Sequence, residues 1–247
     1  MGSPVAADTA VSVEGASKHF RLRHTHSLKE SLVWAVQGRP RHEDFTALAP
    51  LDLDIPRGQS VALLGRNGSG KSTLLKLVAG VMAPDTGRVR VRGRLAGLLE
   101  VGAGFHPDLT GRENVHLNAA ILGMGRAQVE ERFDAIVGFA DIGPFLDTQV
   151  RFYSSGMFLR LAFAVAVHTD PDVFLVDEIL AVGDEAFRDK CLRRIEELRA
   201  EGRTLVVVSH DLPLMERLCD RGVVLDGGRL VHDGPVASAV QRLRATL

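Results

Sequence analysis

The spacing of apolar residues changes several times along the chain, and each change marks an element. Val11 to Arg23 alternates weakly and predicts a first strand, after a start expected to be disordered. Leu48 to Ile55 predicts another strand and Pro56-Arg57-Gly58 a turn. Val61-Ala62-Leu63-Leu64 is apolar at every position, and Leu74, Leu75, Leu77 and Val78 then fall on helical spacing. Gly87 to Leu99 reads as further strand. Val173-Phe174-Leu175-Val176 and Thr204-Leu205-Val206-Val207-Val208 are again continuous runs. A strand apolar on both faces must be covered on both faces, which is the condition of a parallel sheet. Val223 to Val231, with Gly227-Gly228 in the middle, predicts a hairpin.

Between about residues 99 and 165 the strand signal gives way to helix. Gly102 to Arg112 is loop-rich, Glu113 to Val137 mostly helical, and Gly143-Pro144 a break; after Ser154-Ser155-Gly156 helical spacing resumes through Leu159 to Ala166. A second amphipathic segment runs from Ser27 to Gly38. Ser27 and Glu30 fit a capping box, and Leu28, Leu32, Val33 and Val36 share one face. Arg21, Arg23, His24, His26, Lys29, Arg39 and Arg41 surround it. Either it lies against anionic headgroups or a partner subunit, or it packs on its own domain.

Composition narrows the class. The 247 residues are 45% hydrophobic and 25% charged, enough for one large domain or a domain with an insert. A net charge of −1 offers no basic excess for nucleic acid. Cys191 and Cys219 form no disulfide framework, and no Cys/His cluster has zinc spacing, so reduced thiols in cytosol are expected. No signal peptide and no apolar stretch long enough to span a bilayer is expected.

The chemistry concentrates in Gly65 to Thr73, GRNGSGKST, which fits G-x-x-x-x-G-K-[ST] between a strand and a helix. Gly65, Arg66, Asn67, Gly68, Ser69 and Gly70 would turn backbone N–H groups toward phosphate oxygens, and Thr73 opens the helix whose dipole favours the same anion. Lys71 can reach the β- and γ-phosphates, and the Ser72 hydroxyl can bind Mg²⁺. Asp177 and Glu178 follow a buried strand, where α/β sheets bind ligands. Asp177 would hold Mg²⁺ and Glu178 would polarise the water that attacks the γ-phosphate. His210, after the next strand, could sense that phosphate. The fold expected is α/β: a P-loop NTPase (RecA-like) core, about 11–98 and 166–247, with an inserted α-helical subdomain, about 99–165, and an N-terminal antiparallel β region.

Taken in order, these motifs make the chain resemble the ATP-binding subunit of an ABC transporter. Tyr153-Ser154-Ser155-Gly156-Met157 stands where that family has its signature loop, usually LSGGQ; the serine and last glycine are kept, while Ser155 replaces a glycine. The resemblance implies that Ser154, Ser155 and Gly156 close over the ATP of the opposite subunit, and that Asp184 belongs to a loop crossing the dimer interface. It implies Glu100 in place of the family's glutamine, near Mg²⁺. It also implies an aromatic stacked on adenine, with Phe20 the first choice and Phe45 the second. The runs GAGFHPDLTGREN and LAVGDEAFRDKC are similar to the ATPases of polysaccharide exporters, which move O-antigen, capsule or teichoic acid. The partners expected are a second copy in a two-fold ATP-sandwich dimer and two copies of a multi-span permease. Lipid-linked glycan would be met only through that complex, on the cytoplasmic side of the membrane. An exporter of another substrate, such as a lipid or drug, and a soluble non-transport ABC ATPase are the alternatives.

Overall fold

The computed structural model describes residues 8–23, 42–97, 102, 104–177 and 184–245. Two sheets are present. In the first, β1 (Thr9–Arg23) lies between β2 (His42–Pro56) and β4 (Thr86–Val91), antiparallel to both. The second contains β3 (Ser60–Leu64), β5 (Leu95–Gly97), β6 (Val173–Val176), β7 (Thr204–Val207), β8 (Arg221–Asp226) and β9 (Arg229–Pro235). Its spatial order is β5-β6-β7-β3-β8-β9, parallel except for β9, which returns as a hairpin.

The continuous apolar runs are explained by period-2 burial on two faces. Val61, Leu63, Val173, Leu175 and Val206 point into one core, shared with the antiparallel sheet and with α1 (Lys71–Val78). Ala62, Leu64, Phe174, Val176, Leu205 and Val207 point into the other. That second core is covered by α5 (Glu185–Ala200), α6 (Leu212–Leu218) and α7 (Val236–Arg244). Cys191 and Cys219 are buried in it as free thiols. Burial pushes both thiols up from 9.0 to about 12, so they are inert where reactive cysteines would be charged.

A third core joins α2 (Gly111–Ile121), α3 (Arg126–Ala140) and α4 (Ser155–His168) through Val115, Val129, Ile136 and Leu161. Helix α4 serves two cores, because Phe163, Ala166 and Val167 face the sheet while Leu161, Ala164 and Val165 face the helices. Among the described residues no helix is long and apolar enough to cross a membrane.

Two expectations need correction and two fall outside these residues. The stretch from Gly87 is not one strand: β4 ends at Val91 in one sheet and β5 begins at Leu95 in the other. The crossing is fixed by Asp172, whose carboxylate accepts from the Arg94 N–H at 2.7 Å. The helical stretch from Glu113 is two helices, because the chain reverses at Gly123, which has a φ of 87°. The helix expected over Ser27–Gly38, and the start before Asp8, lie outside the described residues.

Candidate nucleotide site

Parallel strands deliver three loops to one sheet edge. Ala62 of β3 lies opposite Val207 of β7, which lies opposite Val176 of β6. The chain therefore leaves the three strands at one edge: Gly65 onward after β3, Ser209-His210 after β7, and Asp177 after β6. This is the carboxyl edge at which open α/β sheets take ligands.

The glycine loop is shaped by its surroundings. Gly70 has a φ of 106°, and a Cβ there would lie 2.7 Å from both the Ala47 carbonyl and Leu48 Cδ2. At Gly65 a Cβ would overlap the Leu225 carbonyl oxygen and the Ser69 hydroxyl. Only glycine can occupy either place without moving the neighbours. The Ser69 N–H donates to the Arg66 carbonyl at 3.1 Å, which closes the turn. From behind, the Gly228 N–H of the β8–β9 turn donates to the Ser69 carbonyl at 3.1 Å. The Gly228 carbonyl in turn accepts from Ala49 at 2.8 Å, so the hairpin fastens the loop to β2. Nothing local in the sequence announces that brace.

Lys71 is the first residue of α1 and is 7% exposed. Its ammonium donates to the carbonyls of Gly65 at 2.8 Å and Arg66 at 3.0 Å. The cation is thus held at the mouth of the loop, where the helix end adds positive potential and no acidic residue occupies the first turn. The side chain of Ser72 is exposed there, while the Ser69 hydroxyl is buried with no hydrogen-bond partner. A helix N-terminus, a fixed cation and a spare buried hydroxyl fit a polyphosphate.

A cleft of about 320 Å³ opens beside residues 67–73 and is walled by Phe20, Phe45 and Ala47. Phe20 and Phe45 are direct partners across the β1–β2 ladder. The two aromatics between which sequence reasoning had to choose therefore form one wall. On the loop's other side a cleft of about 430 Å³ is lined by Gly65, Arg66, Asn67, Ser209, His210 and Leu212. His210 thus faces the glycine loop from the neighbouring strand end. Asp177, just after β6, is half-buried, and Glu178 and Glu100 lie outside the described residues.

The signature candidates are placed elsewhere, at the start of α4. Ser154 is the N-cap, its hydroxyl accepting from the Met157 N–H at 3.2 Å. Ser154 and Ser155 are exposed, and Gly156 is half-buried. The first turn carries no acid, so a positive helix end faces outward. Asp184 caps α5, its carboxylate accepting from the Phe187 N–H at 2.9 Å and pairing with Arg160 at 2.5 Å. Arg160, a residue sequence reasoning did not single out, belongs to α4 and also reaches Asp141 at 3.5 Å and lies over the Phe187 ring. It ties α4 to the start of α5.

Residues 48–181 match the family model for the ABC transporter. The chain belongs to the ABC transporter family. It is 45% identical over 246 residues to the O-antigen export system ATP-binding protein RfbB of Myxococcus xanthus, covering 96% of this chain and 56% of that protein. It is 43% identical to the ABC transporter protein AbcA of Aeromonas salmonicida, over 98% of this chain and 78% of that one. The teichoic acids export ATP-binding protein TagH of Listeria monocytogenes is 38% identical, over 94% and 69%. The cassette thus spans little more than half of the Myxococcus relative. Among solved structures, an ATP-binding subunit of an ABC transporter is similar with a TM-score of 0.75 at 24% identity, over 96% of this chain and 95% of that one. A dimeric ATP-binding cassette bound to ADP and Pi follows at 0.72 and 21%, over 92% and 98%. Both likenesses show the ABC ATPase fold.

Proposed function

We propose that this cassette is the ATP-hydrolysing motor of a polysaccharide exporter. One observation carries the nucleotide part: the Lys71 ammonium on the Gly65 and Arg66 carbonyls, beside a cleft with an aromatic wall. The cargo part is supported by relatives named for O-antigen and teichoic acid export.

In this reading adenine stacks on Phe20 with Phe45 beside it, and the loop N–H groups from Gly65 to Thr73 receive the phosphates. Lys71 shifts from the loop carbonyls to the β- and γ-phosphates. Ser72, Asp177 and Glu100 would hold Mg²⁺, which offsets phosphate charge when bound. Glu178 takes a proton from the attacking water and His210 orients it against the γ-phosphate. Ser154, Ser155 and Gly156 complete the site of a second copy, and Asp184 lies at that interface. The same patch meets itself, giving two equivalent sites. ATP favours the closed pair, so binding closes it and hydrolysis releases it. Two copies of a permease at the cytoplasmic face of the membrane would receive that motion; lipid-linked glycan is met only through them.

The test is a pull-down of the tagged Glu178→Gln protein with ATP from native membranes in mild detergent. A multi-span membrane subunit should co-purify, and lipid-linked glycan should accumulate when the chain is depleted. Turnover of Glu178→Gln should fall about 10²- to 10⁴-fold with nucleotide binding kept. Recovery of ribosomes or DNA-repair factors instead would overturn the transport reading, and wild-type turnover would overturn the base.

A further inference from the structure

Residues 104–114 have no part in the chemistry above, yet they are densely organised. Asn114 is fully buried and its amide donates to the carbonyls of His106, Leu109 and Thr110, while its oxygen accepts from the His106 N–H at 2.7 Å. Thr110 and Glu113 form a capping box at the start of α2. Backbone bonds then lace this loop to the segment before the signature loop. The Gly111 N–H donates to Thr148 at 3.1 Å, Arg112 to Leu146 at 3.0 Å, Val150 to Leu109 at 2.9 Å and Arg151 to Pro107 at 3.0 Å. Phe105 meets Phe158 of α4 edge-on at 5.1 Å.

The last residue of the laced segment is Tyr153. Its hydroxyl donates to the Phe145 carbonyl at 2.8 Å. A Cβ on Gly111 would overlap that hydroxyl, so the glycine at the start of α2 is the seat of the phenol. Tyr153 and Ser154 are both extended, with ψ of 144° and 159°. With φ of −70° and −65° this is polyproline II backbone, in which successive side chains turn by about 120°. The Tyr153 ring packs against the helical core, and the Ser154 side chain, turned away from it, is exposed.

We propose that Tyr153 is a positioning residue for the signature loop: its hydroxyl, seated on Gly111 and bonded to the Phe145 carbonyl, sets the direction in which Ser154 faces the nucleotide of a second copy. The loop 104–114 reaches the ATP site through it. This rests on the two-copy reading of that site.

The experiment measures ATP-driven dimerisation of full-length protein in the Glu178→Gln background, beside binding of a fluorescent ATP analogue to the monomer. Tyr153→Phe and Gly111→Ala are each compared with Ser154→Ala. Both should weaken dimerisation about 3- to 10-fold, the worth of one hydrogen bond, with monomer binding within about twofold. On the Ser154→Ala background Tyr153→Phe should add no further loss, because it acts through the serine. If Ser154→Ala weakens the dimer and Tyr153→Phe does not, or if the two losses add, the positioning role is wrong and the two-copy reading stands. A parallel drop in analogue binding and melting temperature would reduce Tyr153 to a structural residue. If Ser154→Ala itself changes nothing, the two-copy reading fails and the inference with it.

Discussion

The glycine loop and the signature loop look alike in sequence, each a serine- and glycine-bearing turn that opens a helix. Their surroundings differ. The glycines at 65 and 70 are demanded by the chain's own packing, since a Cβ at either would strike neighbouring atoms. At Gly156 a Cβ would meet only the Ser154 hydroxyl, at an ordinary 3.9 Å, and no positive φ is needed. Lys71 is buried and held on loop carbonyls, whereas Ser154 and Ser155 stand in solvent. One loop is braced and charged within a single chain. The other offers helix-end potential and an exposed serine that caps its own helix, as the proposed two-copy site requires.

The sharpest break of that contrast is Lys71→Ala. The alanine removes a cation fixed at the mouth of the glycine loop. Charge-assisted bonds contribute about 1.5–3 kcal/mol each, so nucleotide affinity of the monomer should fall about 10- to 100-fold. Ser154→Ala should leave the same titration unchanged. Equal losses in both variants would mean that the two loops serve a single site within one chain.

Much of the glycine loop's geometry could be read from sequence because its signals are local. A strand, six loop residues, a lysine and a helix follow one another within the run from Val61 to Val78. The parallel sheet was legible for a related reason, since burial on both faces leaves runs such as Val173 to Val176 with no polar position. What escaped was long-range. The brace from Gly228 to Ser69 joins residues 159 positions apart with nothing in either segment to announce it. Phe20 and Phe45 read as rivals, because only the β1–β2 register makes them neighbours. The break between β4 and β5 depends on Asp172, which lies far along the chain from Arg94. Asn114 and Arg160 were part of recognisable runs, but their roles come from partners that the runs do not contain.

A paired substitution tests the glycine contrast directly. Gly70→Ala forces a left-handed φ on alanine and a close approach to Ala47 and Leu48, a cost of about 1–3 kcal/mol. A protein of this size should then melt roughly 2–4 °C lower per kcal/mol, and the loop should lose nucleotide. Gly156→Ala is the opposite case. It replaces a glycine in the first turn of α4 with the best helix former, worth up to about 1 kcal/mol, so melting should hold or rise. On the proposed two-copy reading turnover should nonetheless drop several-fold, because the Cβ would intrude on the second copy's phosphates. A Gly156→Ala protein with higher melting temperature and undiminished ATPase would show that this face of α4 meets nothing.

The smallest effect, and the finest discrimination, lies at Asp184. Its carboxylate has two visible tasks, capping α5 through the Phe187 N–H and pairing with Arg160. Asparagine caps as well as aspartate but carries no charge, so Asp184→Asn separates the tasks. The Asp184 side chain is 62% exposed, and an ion pair so open to solvent contributes little, about 0–1 kcal/mol. Asp184→Asn should therefore change stability by less than about 0.5 kcal/mol by chemical denaturation, while Asp184→Ala loses the cap and about 1 kcal/mol. ATPase activity decides whether a third task exists. If Asp184→Asn keeps its stability and loses turnover, the charge acts across an interface that one chain does not contain. If activity follows stability through both variants, Asp184 is a helix cap whose ion pair steadies α4 against α5, and the interface role belongs to other residues.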